Sequence, residues 1–369
     1  MSTGEGVERH KGMLALVALD NKKNISFSAI ENTVSALASY GYYFDNITRV
    51  AYNRSDGIVN ALFDGLDNYD NTVILCPSTM SKTVSDFVCG IAKAEFDSLG
   101  MLHTAKKHVF MLFNDCENRL KYSDIKAALD KKYGISYDSA VIRAVGVPQK
   151  LLDDTLSAVL KSFSDNSVSV KVTDDYDDIR IEIIYSSNTP KMTIDGAMRE
   201  IVKRLSGYVY ALEDITLAEQ LYRLLKLRRM KICVSESFTG GGVSKRLVEV
   251  PGVSEVYLEG LNTYSNESKM QRLGVSELTL AQCGAVSAET AYQMAEGLLK
   301  TGNCEVAIST TGIAGPKSDN TSKPVGLAYI GIGVENDVAV YKFNFAGDRK
   351  RITETGINHA LFLAYNRLK

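Results

Sequence analysis

The chain has little histidine. Four occur in 369 residues, His10, His103, His108 and His359, and no two form an HxH or HxxxH pair. Histidine-based metal or acid–base chemistry is thereby disfavoured, although carboxylates stay open as ligands for a hard cation. The six cysteines, Cys76, Cys89, Cys116, Cys233, Cys283 and Cys304, include no CxxC pair. Several sit in apolar runs, so they read as reduced core thiols of a cytoplasmic protein, not as disulfides or zinc ligands. No charged-then-apolar leader opens the sequence, and the early apolar run Met13–Leu19 is far too short to cross a bilayer, which predicts no membrane partner. Neither sign of charge is in excess: 42 Lys and Arg stand against 44 Asp and Glu. No strong field draws the chain toward nucleic acid or an acidic membrane surface.

What is present is ordinary for a globular protein, with 45% apolar and 23% charged residues. At about 100–200 residues per domain, the length predicts two or three domains. Residues 1–136 alternate strand-like runs (Met13–Leu19, Thr72–Leu75, Val109–Phe113) with helical patterns. In Ser28–Tyr40, Ile30, Val34, Leu37 and Ala38 share one face, and Asn118–Tyr133 is closed by Gly134. Strands separated by helices predict an α/β fold with a parallel sheet.

Residues 137–213 read strand (Ser139–Val145), helix (Gln149–Phe163), strand (Ser167–Thr173), strand (Ile179–Tyr185), helix (Thr193–Leu205), strand (Tyr208–Leu212). This is the βαββαβ order of a small α+β unit, with an acidic turn at Asp174–Asp178. Such units often serve as connectors or dimer surfaces. RNA binding would need a GxxG loop of the KH type, and none occurs here.

Residues 214–369 form a third, three-layer α/β unit. The amphipathic helix Leu217–Leu227 ends in Arg228, Arg229 and Lys231, cations that suit a helix C-terminus. Next come a strand (Lys231–Ser235), a glycine turn, a helix, a strand (Val256–Thr263) and a short helix (Asn266–Leu273). A longer helix from Ala288, with Ser287 as N-cap, precedes a strand (Glu305–Thr310) and a glycine–proline loop. Two strands (Val325–Val334, Asp337–Phe345) and a helix (Ile352–Leu368) close the unit.

The chemistry-bearing residues cluster in this third unit. Ser235-Glu236-Ser237-Phe238-Thr239-Gly240-Gly241-Gly242 lies between a buried strand and a helix. Glycines let backbone N–H groups approach a ligand, and the helix N-terminus behind them favours negative charge. A serine there can face a substrate before oxyanion-stabilising donors; equally, the segment is a tight turn with a Ser or Thr cap. Tyr264-Ser265-Asn266-Glu267-Ser268-Lys269 sits at a strand-to-helix junction. A buried neutral lysine can serve a serine nucleophile as base, with Tyr264 as relay; an exposed lysine is the alternative. Thr310-Thr311-Gly312-Ile313-Ala314-Gly315-Pro316 follows a strand end, where open α/β sheets place ligands. Lys323-Pro324-Val325-Gly326 reads as a turn. Arg349 can clamp a phosphate or carboxylate, or form a surface ion pair with Asp348.

Taken together these segments resemble the CinA family, named for competence/damage-inducible protein A. Its [A]-E-S-x-T-G-G motif stands as Ser235 to Gly241, V-P-G-[AV]-S as Val250 to Ser254, and Y-S-N-E-x-K as Tyr264 to Lys269. L-G-V is Leu273 to Val275, G-A-V-S is Gly284 to Ser287, and T-G-I-A-G-P is Thr311 to Pro316. K-P-V-G at Lys323–Gly326 and G-D-R at Gly347–Arg349 follow in family order. The resemblance implies a nicotinamide-nucleotide amidase that converts nicotinamide mononucleotide to nicotinate mononucleotide and ammonia, a step in pyridine-nucleotide salvage. By carry-over Ser237 is the nucleophile, Lys269 its base, and Tyr264 assists. Glu236, Thr239, Gly240, Gly241, Thr311, Gly312 and Arg349 line the substrate. No metal or cofactor is required, and a homodimer is implied. This chain departs from the family at Ser235, where alanine is usual, and at Lys317-Ser318-Asp319, where Asp-Gly-Gly is usual.

Residues 137–213 resemble the family's KH-like middle domain, and residues 1–136 a worn molybdopterin-binding-like domain. The latter's G-D-E-L-L becomes Ala18-Leu19-Asp20-Asn21-Lys22, and G-G-L-G-P-T-x-D-D becomes Cys76-Pro77-Ser78-Thr79-Met80-Ser81-Lys82-Thr83. The glycines that admit a pyrophosphate and the Asp pair that would hold a metal are gone. The expectation is loss of the family's ADP-ribose pyrophosphatase activity and of its metal site. Two rivals to the amidase reading are a non-catalytic nucleotide-binding or scaffold protein, seen as binding without turnover, and a residual pyrophosphatase.

Overall fold

The structure is a computed structural model that describes residues 12–18, 27–51, 55–161, 163, 168–300, 303–317 and 322–369. The Leu19–Lys22 part of the first worn motif and the Ser318-Asp319 departure lie outside the described residues. The chain divides into two compact units. One holds residues up to Ser139 with Leu160–Val170 and Glu182–Ala197, the other Ala140–Val159, Lys171–Ile181 and Met198–Lys369.

The first unit contains β1 (Gly12–Ala18), α1 (Phe27–Ser39), β2 (Asn46–Ala51), α2 (Ser55–Asn68), β3 (Asn71–Cys76), α3 (Ser81–Ala92), β4 (Met101–His103), β5 (His108–Phe113) and α4 (Tyr122–Tyr133). The sheet order is β2-β1-β3-β5-β4. β1, β2, β3 and β5 run parallel, as expected, but β4 adds an antiparallel edge that the sequence pattern did not predict. Every residue of β3 is buried, because the sheet is covered on both faces. Val73 and Leu75 pack toward Leu37, Ile125 and Leu129, while Ile74 and Cys76 pack toward Leu62, Val84 and Val88. Helix α4 starts at Tyr122 rather than Asn118, since the Asn118 amide is taken up by the Phe113 N–H and carbonyl.

The βαββαβ order of the middle segment is realised by β6 (Tyr137–Val145), α5 (Gln149–Leu160), β7 (Val168–Asp175), β8 (Asp178–Ser186), α6 (Lys191–Arg204) and β9 (Val209–Ala211). These strands form a sheet of order β7-β8-β6-β9.

The second unit continues with α7 (Leu217–Arg228), β10 (Ile232–Glu236), α8 (Gly242–Val248), β11 (Tyr257–Asn262), α9 (Asn266–Leu273), α10 (Glu277–Gln282), α11 (Ala288–Lys300), β12 (Val306–Gly312), β13 (Leu327–Val334), β14 (Asp337–Asn344) and α12 (Arg349–Leu368). The sheet order is β11-β10-β12-β13-β14, with β10 parallel to both neighbours and β13 and β14 antiparallel. Strand alternation builds the three layers. Ile232, Val234, Val306 and Ile308 face α7, α8 and α12, while Cys233 and Ala307 face α9 and α11. Thr216 caps α7 in a reciprocal pair with Glu219. Helix α12 begins three residues earlier than the apolar pattern suggested, because Asp348 accepts the Arg351 N–H as N-cap. Asn358, buried on α12, donates to the Asp175 and Tyr176 carbonyls at the β7–β8 turn. Among the described residues no helix is long and apolar enough to cross a membrane. All six cysteines are free; Cys116 is exposed, against its reading as a core thiol.

Candidate active site

The strands β10, β11 and β12 run in one direction, so their C-terminal ends deliver three segments to one edge of the sheet. Ser237 leaves the end of β10, Thr263 and Tyr264 leave β11, and α9 brings Lys269 back across that edge. Ser265 accepts the Ser268 N–H as N-cap of α9, which sets where this helix begins.

Lys269 is fully buried. Its Nζ lies 3.2 Å from Ser237 Oγ, 2.7 Å from the Thr263 carbonyl and 3.2 Å from the Tyr264 carbonyl. Burial pushes its pKa down to about 8, and no neighbouring charge opposes that shift. Ser237 is itself only 9% exposed. The structure therefore brings together the serine and the lysine that sequence placed on separate motifs. Tyr264 contributes its carbonyl to this cluster; its side chain is 65% exposed, and its hydroxyl has no hydrogen bond to Ser237 or Lys269.

Two expected substrate contacts, Glu236 and Thr311, have their side chains bonded within the protein, and Gly312 is closely packed. Glu236 spends both carboxylate oxygens on the protein, accepting from the Gly241, Val243 and Ser244 N–H groups and the Ser244 hydroxyl. The start of α8, expected to favour a substrate anion, is thus already occupied by this carboxylate. The Thr311 hydroxyl donates to the Ala285 carbonyl at 2.6 Å, because strand alternation points it toward α11. Gly312 is held by crowding: a Cβ there would stand 3.0 Å from both Ala328 Cβ and the Leu327 carbonyl oxygen.

The remaining expected residues lie at the loop. Gly240 and Gly241 have φ of 61° and 94°, a left-handed conformation that glycine adopts without strain, and a Cβ on either would meet nothing within 4 Å. Thr239 is buried, with its Oγ1 2.7 Å from Thr310 Oγ1. Arg349 donates to the Gly315 carbonyl at 2.6 Å, tying the start of α12 to the glycine–proline loop, and Asp348 is its helix cap rather than its ion-pair partner. Lys323 donates to the Cys283 and Val286 carbonyls. The sequence reading passed over Thr310 as a site residue; the period-two alternation of β12 was the signal that could have found it. Among the described residues no group of three or more His, Cys, Asp or Glu side chains could hold a metal.

The sequence model of the CinA C-terminal domain matches residues 214–368. This segment is a CinA C-terminal domain. Outside this chain, the competence-damage inducible protein of Caldicellulosiruptor saccharolyticus is 40% identical over 224 residues, 60% of this chain and 54% of that protein. The competence-damage inducible protein of Clostridium perfringens strain 13 is 47% identical over 161 residues, 43% of this chain and 39% of its own. The chain spans about half the length of the curated relatives it matches. A solved competence/damage inducible protein from Agrobacterium tumefaciens is 34% identical, covering 41% of this chain and 93% of its own, with a TM-score of 0.39. In the CinA domain, the glycine loop and the lysine helix are the segments that carry the Ser237–Lys269 contact.

Proposed function

We propose that the CinA domain hydrolyses the carboxamide of nicotinamide mononucleotide to nicotinate mononucleotide and ammonia, with Ser237 as nucleophile and Lys269 as its base. The observation that carries this reading is the 3.2 Å Lys269–Ser237 contact at a buried amine whose pKa is lowered to about 8. A neutral amine has two N–H donors and one lone pair. The Thr263 and Tyr264 carbonyls take the two donors, which turns the lone pair to the Ser237 hydroxyl.

Ser237 Oγ then bonds to the carboxamide carbon while its proton passes to Lys269. Lys269 hands that proton to the departing nitrogen, and ammonia leaves as the C–N bond breaks. Water attacks the resulting ester, gives a proton to Lys269, and the Ser237–acyl bond opens as Ser237 recovers a proton. The Phe238 and Thr239 N–H groups have no acceptor among the described residues and directly follow the nucleophile, so they are the available donors for the oxyanion. Arg349 keeps N–H groups beyond the one on Gly315 and supplies the positive charge for the substrate phosphate.

The same reasoning assigns no pyrophosphate cleavage to the first unit. At the end of β3 the Ser78 N–H and hydroxyl are both held by the Asp115 carboxylate, which a phosphate would have to displace. The test is ammonia release from nicotinamide mononucleotide by wild type and Ser237→Ala. Turnover by wild type alone supports the reading. Binding without turnover by wild type, or equal turnover by the variant, overturns it.

A further inference from the structure

Three consecutive hydroxyl residues, Ser309, Thr310 and Thr311, precede Gly312 at the end of β12, and the pleat sends them to opposite faces. Ser309 donates to the Ala291 carbonyl and Thr311 to the Ala285 carbonyl, both on the α11 side. Thr310 alone turns to the other face. It is paired in register with Glu236, the residue before the serine. Its Oγ1 accepts the Ser237 N–H at 3.4 Å and stands 2.7 Å from Thr239 Oγ1. Ser237, Thr239 and Thr310 are all buried.

From this arrangement we propose that Thr310 is the positioning residue of the nucleophile: its hydroxyl, oriented by that of Thr239, fixes the backbone of Ser237 so that Oγ meets Lys269. The inference rests on Ser237 being the nucleophile. Beyond Glu236 the chain leaves β10, and the next ladder partner of the Ser237 N–H is a side chain on the neighbouring strand rather than a carbonyl. One hydrogen lies between the two threonine oxygens. Because Thr310 must accept from Ser237, that shared hydrogen sets the direction of its lone pairs. Valine at 310 keeps the shape and removes the acceptor, leaving the Ser237 N–H and the Thr239 hydroxyl unpaired in a dry site. Serine keeps the hydroxyl and loses only a methyl group.

The experiment compares wild type, Thr310→Val and Thr310→Ser in two assays. One is steady-state ammonia release from nicotinamide mononucleotide. The other is the rate at which a fluorophosphonate probe labels Ser237, which reads nucleophile reactivity whatever the substrate. The expected result is a fall in kcat and labelling rate of about 10- to 100-fold for Thr310→Val. KM and the pH midpoint should stay at their wild-type values, and Thr310→Ser should restore both rates. Full rates in Thr310→Val, a change confined to KM, or a loss that Thr310→Ser does not restore would overturn the inference. If wild type labels at Ser237 but releases no ammonia, the substrate reading fails while slower labelling of Thr310→Val still sustains the positioning role. If wild type does neither, both fall.

Discussion

Lys269 Nζ stands 3.2 Å from Ser237 Oγ, and burial is the sole influence lowering its pKa, to about 8. With the free amine as the proposed base, kcat/KM should rise with pH through about 8 and level above it. Lys269→Arg, charged at every accessible pH, should lose about 10²- to 10⁴-fold in rate with no alkaline recovery. Stability carries the same signature. The folded-state pKa lies below the ordinary 10.5, so between these values the unfolded chain binds more protons and stability rises with pH. The stability difference between wild type and Lys269→Met, from urea unfolding at several pH values, should change over that window and be flat below it.

Glu236 holds the glycine loop from beneath. Glu236→Gln puts an NH₂ group where N–H donors already point, so the unfolding free energy should fall by about 1–3 kcal/mol. Urea denaturation reads this directly. A substrate contact would instead raise KM and leave the unfolding midpoint in place.

Tyr264 reaches Lys269 through its main chain. Tyr264→Phe should therefore keep kcat within about twofold, since a backbone carbonyl survives side-chain substitution. A hundredfold loss in the steady-state assay would show that the phenol carries a proton.

Gly297 on α11 lies against the last turn of α9. A Cβ there would stand 2.1 Å from the Leu273 carbonyl oxygen, a backbone atom that cannot swing aside. Gly297→Ala should cost about 1–3 kcal/mol by overpacking. Because α9 carries Lys269, kcat should also fall, by about 10- to 100-fold. Wild-type kcat in this variant would mean that α9 adjusts without moving its lysine.

Ser235 stands where the family usually has alanine, and its fully buried hydroxyl has no hydrogen-bond partner among the described residues. Ser235→Ala should gain about 1 kcal/mol, read as a higher thermal midpoint, with activity unchanged. A lower midpoint would show that the hydroxyl is satisfied in solution.

Much of this protein was legible in sequence because local patterns have local causes. Apolar runs marked β3, β5, β10 and β12, and the strand-to-helix junction at Tyr264–Lys269 marked α9. The antiparallel edge β4 was not legible, since a three-residue strand carries no period to read. The start of α4 was misplaced because Asn118 spends its amide on Phe113 across a turn rather than in a helix.

By itself, the sequence determined that a serine loop, a lysine helix and a threonine strand end occur in this order in an α/β unit, since periodicity and turn chemistry are written in neighbouring residues. Tertiary structure decided the rest. Glu236 became a loop anchor because its own helix start lies within reach. Thr310 rather than Thr311 faces Ser237 because the pleat and the β10–β12 register choose between adjacent hydroxyls. Lys269 holds its proton less tightly than a free lysine because burial takes it out of water without supplying a carboxylate. Each of these depends on a partner brought from another strand or helix, and such a partner leaves no trace in the spacing of the residues around it.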